Sequence, residues 1–129
     1  MSHALLAVNA DADRAVAQAR HVTAVDGVDR ATLLHVFTGD NEAGASVNQV
    51  AAVRRAREHI EGADVEVTLR EASGDPADEI LVAADDVDPD LLVVSGRGRS
   101  PTGKAVFGSV SQAVLLRSDR PVLYCPVDD

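Results

Sequence analysis

The chain reads as a doubly wound α/β domain built on a mainly parallel sheet. Three observations predict it. Short aliphatic runs alternate with segments of helical periodicity, as in successive βα units. Hydrophobic residues make up 46% of the chain, yet aromatics make up only 2%, namely Tyr124, Phe37 and Phe107. The core must then be Val, Leu and Ala, which suits buried parallel strands. A Gly/Ser-rich loop follows the most hydrophobic run and leads into a helix, where ligands bind in open α/β sheets.

The elements follow in order. Ala4 to Asn9 is the first strand, and Asp13 offers an N-cap for a helix to about Val25 with Val16, Ala19 and Val22 as its apolar stripe. Ala31 to Thr38 is the second strand, and Gly39-Asp40-Asn41 lies in the loop behind it. Ser46 to Gln49 fits a capping box, opening a helix to about Glu61 with Val47, Val50, Val53 and Ile60 near one face. Gly62 closes it in the manner of helix C-terminal glycines.

Val65 to Leu69 alternates and reads as a third strand near an edge. Asp75-Pro76 is a strong helix start, with Asp78 and Glu79 in the first turn, Ile80, Leu81 and Ala84 inward, and Pro89 blocking continuation. Leu91 to Val94 is the best candidate for a central strand. A helix from about Phe107 to Leu116 carries Val106, Val110, Ala113 and Val114 at helical spacing. Pro121 to Val127 is the last strand, and its prolines favour an edge. No repeat or linker interrupts residues 1–129, so one domain is expected.

Net charge is −9, which argues against binding nucleic acid polymers. The acidic, Lys-poor, aromatic-poor composition fits a salt-loving source and GC-rich coding alike. The single cysteine, Cys125, excludes an intrachain disulfide. No apolar run reaches the roughly 20 residues of a membrane span, and no signal-peptide pattern opens the sequence. A cytoplasmic protein is expected. Cys125 reads as a packed thiol, and His35 as a satisfied strand-end histidine. His3, His21 and His59 show no metal-ligand spacing, so no metal site is expected. Asp85-Asp86-Val87-Asp88-Pro89-Asp90 reads as a solvated helix end.

The chemistry concentrates in Val94 to Ser111. Glycines let backbone approach a ligand, a helix starting near Gly108-Ser109 offers unpaired N–H groups, and Arg97, Arg99 and Lys104 add positive charge. Together these point to an anion, most plausibly phosphate. Gly98 to Ala105 imitates a phosphate-binding P-loop, but Ala105 stands where that motif needs Ser or Thr for Mg²⁺.

This loop resembles the nucleotide-binding signature of the universal stress protein family: Gly, two residues, Gly, nine residues, then Gly-Ser or Gly-Thr. Gly98 and Gly108-Ser109 match, whereas Ser95 replaces the first glycine and Gly96 follows it. The opening strand, Leu34-His35-Val36, Gly74-Asp75-Pro76, Asp90 to Val94 and Arg120 to Leu123 are similar to the family in the same order.

The resemblance implies a five-stranded, Rossmann-like sheet of the adenine nucleotide alpha hydrolase-like kind, ordered 3-2-1-4-5. It implies an adenine nucleotide, ATP or a relative, with or without Mg²⁺. Val8, Asn9 and Val36 would line the adenosine side. Val94, Ser95, Gly96, Gly98, Arg99, Gly108, Ser109, Val110 and Ser111 would complete the binding positions around ribose and phosphates. Asn9 stands where ATP-binding members carry Asp. A serine held at positive φ would be strained unless Gly96 took over that dihedral. The resemblance also implies a homodimer through Val122 to Val127, whose edge would otherwise stay open. No general base is visible, so a stress-linked regulator is expected, with at most weak ATP hydrolysis. The alternatives are a nucleotide-free interaction module and a slow ATPase or phosphotransfer enzyme.

Overall fold

A computed structural model describes residues 2–37, 50–96, 98–99, 105–106 and 108–126. The elements are β1 (Ser2–Ala7), α1 (Ala12–Thr23), β2 (Val28–Phe37), α2 (Ala51–Glu61), β3 (Glu66–Ser73), α3 (Pro76–Val87) and β4 (Leu91–Gly96). Then come the short strands β5 (Gly98–Arg99) and β6 (Ala105–Val106), helix α4 (Ser109–Arg117) and strand β7 (Val122–Pro126). The main sheet is five-stranded and parallel in the order β3-β2-β1-β4-β7, while β5 and β6 form a separate antiparallel pair. Counting only main-sheet strands, this is the expected 3-2-1-4-5.

Strand alternation divides the core into two layers. Leu6, Leu33, Val93 and Cys125 face α1 and α2, where Ala15, Ala19, Val22, Ala52, Val53, Ala56 and Ile60 meet them. Leu5, Leu34, Leu92 and Val94 face Ile80 and Ala84 of α3 and Val114 of α4. Small alanines on the helix seams let backbones come close, which is how so few aromatics suffice to fill the interior.

Local signals explain most boundaries. The Asp75 carboxylate accepts the Asp78 N–H at 3.0 Å, and Pro76 occupies the first turn of α3. That helix ends at Asp88 in the left-handed region (φ 53°), just before Pro89.

Several expectations are corrected. The N-cap of α1 is Asp11, whose carboxylate accepts the Asp13 and Arg14 N–H groups at 3.0 and 3.2 Å; Asp13 is a first-turn acid instead. Val16 is half-buried, while Gln18 is wholly buried within the stripe. Helix α2 begins at Ala51, because Val50 is extended (φ −79°, ψ 119°). The capping box at Ser46 to Gln49, Val47 and the loop Gly39-Asp40-Asn41 lie outside the described residues. Gly62 caps α2 in a right-handed conformation (φ −65°), and the left-handed turn falls to Asp64 (φ 63°).

Leu91 to Val94 lies inside the sheet, but β1 holds the middle. Val106 belongs to β6 rather than to a helix, and α4 starts at Ser109. The acidic run near α3's end is paired as well as solvated. Arg120 reaches Asp85 and Asp88 at 3.3 and 3.0 Å, Arg70 reaches Asp86 at 2.6 Å, and Asp90 accepts the His3 N–H at 2.8 Å.

Candidate functional site

The site is a product of the topology. From β1 the chain winds outward through β2 to β3, and α3 then carries it across to β4 on the other flank. Strand β1 stays with β2 up to the pair Ala7 and Leu34, and Val8 N–H still donates to Leu34 at 2.8 Å. With β4 its pairing stops at Leu6 and Val93. Beyond that point the two strands part.

Gln18 bridges the parting. Its side-chain amide donates to the Ala7 carbonyl at 2.9 Å and to the Val93 carbonyl at 3.1 Å, two acceptors that the divergence would strand. Its Oε1 is buried without a protein partner among the described residues. Periodicity could not have flagged this residue, because it sits among apolar neighbours on the buried side of α1.

Above the parting lies a cavity of about 460 Å³. Val8 and Asn9 line it from the end of β1, Val36 from β2, Val94 and Ser95 from β4, and Gly108, Ser109, Val110 and Ser111 from the start of α4. These expected positions therefore share one hollow. The sequence reading missed Arg14, His35, Phe37, Pro76 and Ile80, which also line it. The signal was topological: each sits at a strand's carboxyl end or within the first helical turns that follow a strand.

The α4 end of the cavity is built for an anion. Gly108 is extended (φ −73°, ψ 166°), and no side chain caps the helix. The first helical bond runs from the Gln112 N–H to the Gly108 carbonyl at 2.9 Å. The amides of Ser109, Val110 and Ser111 precede that bond and carry the helix's partial positive charge. By contrast, α1 and α3 are already capped by the Asp11 and Asp75 carboxylates. The Ser111 hydroxyl donates to the Ser95 carbonyl, pinning the first turn of α4 to the end of β4. A Cβ built on Gly108 meets no heavy atom of the described residues within 4 Å.

Much of the remaining lining is apolar. Val8, Leu34, Val36, Ile80 and Val94 supply aliphatic walls. His35 is buried, with Nδ1 2.8 Å from the Val8 carbonyl; donating there leaves Nε2 as an acceptor. Its ring meets Phe37 edge-on, with centroids 4.6 Å apart. Asn9 Oδ1 accepts the Asp11 N–H at 2.9 Å, which leaves its NH₂ to donate.

Of the expected positions whose side chains are described, Gly96 falls outside this lining. Gly96 is turned toward the edge strand, and a Cβ there would stand 2.1 Å from the Tyr124 hydroxyl oxygen and 2.6 Å from Cε1. Its glycine is a matter of space, not of dihedral, since neither Ser95 nor Gly96 has positive φ. The anticipated strain at Ser95 does not arise. Gly96→Ala is expected to cost about 1–3 kcal/mol in urea unfolding, less when combined with Tyr124→Ala.

Gly98 and Arg99 run antiparallel to Val106 and Ala105. Ala105 in a strand is incompatible with a P-loop, whose helix would open there. Arg97 and Lys104 lie outside the described residues, as does Phe107.

Among the described residues no three His, Cys, Asp or Glu side chains gather as a metal site, and no helix is long and apolar enough to cross a membrane. Cys125 is fully buried, and burial pushes its thiol up to about 12, so it is no nucleophile.

Comparison with known proteins meets the same architecture. The sequence model of the Universal stress protein family matches residues 2–126. A universal stress protein of Mycolicibacterium smegmatis is 34% identical over 92 residues, spanning 70% of this chain and 71% of that protein. The solved universal stress protein of Archaeoglobus fulgidus superposes with a TM-score of 0.75 at 28% identity, covering 97% of this chain and 98% of that one. A universal stress protein in complex with cAMP gives a TM-score of 0.74 at 21% identity, covering 98% of both chains. An Arabidopsis thaliana family member with AMP bound gives 0.71 at 18%, covering 99% of this chain and 93% of that one. The chain belongs to the universal stress protein family.

Proposed function

We propose that this chain holds an adenine nucleotide, ATP or a relative, in the crevice between the ends of β1 and β4. We further propose that it acts as a stress-linked regulator rather than as an efficient enzyme. The observation that carries this is a single cavity joining an aliphatic slot to the uncapped start of α4. The slot suits a purine, and the amides of residues 109–111 suit phosphate. The cAMP and AMP seen in two proteins of this fold support the same reading.

Hydrolysis would be slow. Among the described residues no carboxylate lines the cavity, and Asn9 carries no charge with which to activate water. The residues present would leave any Mg²⁺ to be held mainly by the nucleotide's own phosphates. A cytoplasmic homodimer joined along β7 completes the proposal, since among the described residues β7 is an outer strand of the main sheet, where a second copy could pair.

The test is direct. The purified protein is denatured and the supernatant assayed for nucleotide, and thermal unfolding is followed with ATP and with AMP. A ligand at about 100 times its Kd should raise the midpoint by roughly 5–10 °C. An empty supernatant with no shift would instead assign the chain to the family as an interaction module.

A further inference from the structure

The formal charge of the chain is −9, with Asp and Glu totalling 21 against 12 Lys and Arg. The cavity inverts this balance. Among the described residues its lining holds no Asp and no Glu, and one guanidinium, that of Arg14. Carboxylates are abundant nearby, in Asp11 and Asp13 of the same helix start and in Asp75 and Asp78 of α3. None of them lines the hollow. A hollow whose described lining is free of carboxylates, in so acidic a chain, is suited to an anion.

Arg14 is built to serve it. The side chain is three-quarters covered, at 27% relative exposure, so its guanidinium works in a medium less screened than bulk water. Its ionic neighbour among the described residues is Asp11, 3.7 Å away from Nε, beyond hydrogen-bond distance. The Asp11 carboxylate is already engaged, accepting the Asp13 and Arg14 backbone N–H groups. The five N–H donors of Arg14 are thus not consumed by that neighbour, and a planar fork suits two oxygens of one phosphate.

The two positive features of the site also come from opposite sides. Helix α1 lies on the sheet face that carries Leu6 and Val93, and α4 lies on the face that carries Leu5 and Val94. Their first turns meet at one cavity above the parted strands. An anion at the start of α4 would be approached by Arg14 across the crevice.

We propose that Arg14 is the specificity-determining cation of this site: its guanidinium contacts the phosphate of the bound nucleotide, so the crevice selects phosphorylated adenosine over adenosine itself. This rests on the adenine-nucleotide reading above, but separates from it experimentally.

Binding of AMP and of adenosine is measured by calorimetry on the full chain and on Arg14→Gln and Arg14→Lys, with thermal midpoints recorded to confirm folding. The wild type is expected to prefer AMP. Arg14→Gln should weaken AMP by about 10-fold or more, the size of a charge-assisted hydrogen bond pair, and leave adenosine unchanged. Arg14→Lys, which keeps the charge and loses the fork, should fall between. If Arg14→Gln weakens AMP and adenosine equally, Arg14 only supports the pocket and the proposal is overturned. If it weakens neither, the proposal is overturned while the nucleotide reading stands. A wild-type chain that binds neither compound overturns both.

Discussion

A Gly108→Val chain is expected to keep its thermal midpoint while its affinity for adenine nucleotides falls by about 100-fold, or 2.7 kcal/mol. The two halves of that result have separate causes. Gly108 has an extended backbone that any residue adopts, and a Cβ there touches none of the described residues within 4 Å, so the described fold has no reason to object. The added methyl groups would stand in front of the amides of Ser109, Val110 and Ser111. Two or three hydrogen bonds to an anion are each worth about 1.5–3 kcal/mol, and losing even part of that set reaches the stated factor. Calorimetric titration with AMP, beside a thermal scan of the unliganded variant, checks both halves. Unchanged affinity in a folded variant would remove the start of α4 from the binding site.

The largest stability effect is expected at Gln18. Gln18→Leu conserves volume and keeps α1 packed, but it strips the donor from two main-chain carbonyls, Ala7 and Val93. An unsatisfied buried acceptor costs about 1–3 kcal/mol, so the pair predicts a loss of roughly 3 kcal/mol. That corresponds to a midpoint lower by about 10 °C in a chain of this size. The unpartnered Oε1 of Gln18 offsets part of the native benefit and keeps the estimate at the lower end of the additive range. Urea unfolding measures it. A Gln18→Leu chain as stable as the wild type would show that the parted strands find other donors.

How much of this was readable beforehand follows from what each residue does. The aliphatic runs announced the strands because burial on both faces leaves no room for alternation. Asp75-Pro76 announced α3 because an N-cap carboxylate and a proline at the first helical position act within four residues. Gly108-Ser109 marked the start of α4 although no side chain caps that helix. The misses share the opposite character. Asp11 and Asp13 are equally good caps by chemistry, and the backbone decides between them: Asp11 is extended (φ −85°, ψ 111°) and Asp13 is already helical. Gly62 does close α2, as read, but the left-handed residue comes two positions later at Asp64.

Gln18 was invisible because its partners are carbonyls 11 and 75 residues away. Gly96 was read as a dihedral choice, whereas its absent side chain leaves room for Tyr124 on the neighbouring strand. Arg14 and His35 could be assigned to the cavity only once the order of strands placed their elements side by side.

The burial of Cys125 has a practical corollary. It is the only cysteine in the sequence, and burial both removes it from solvent and pushes its thiol up, so that it stays protonated at neutral pH. The protein is in effect a cysteine-free background without any mutation. A Leu116→Cys change on the outer side of α4, where the native side chain is 77% exposed, would carry a maleimide dye at a single address. Fluorescence from that address could then test the proposed ligand binding and the proposed subunit pairing in a chain otherwise unaltered.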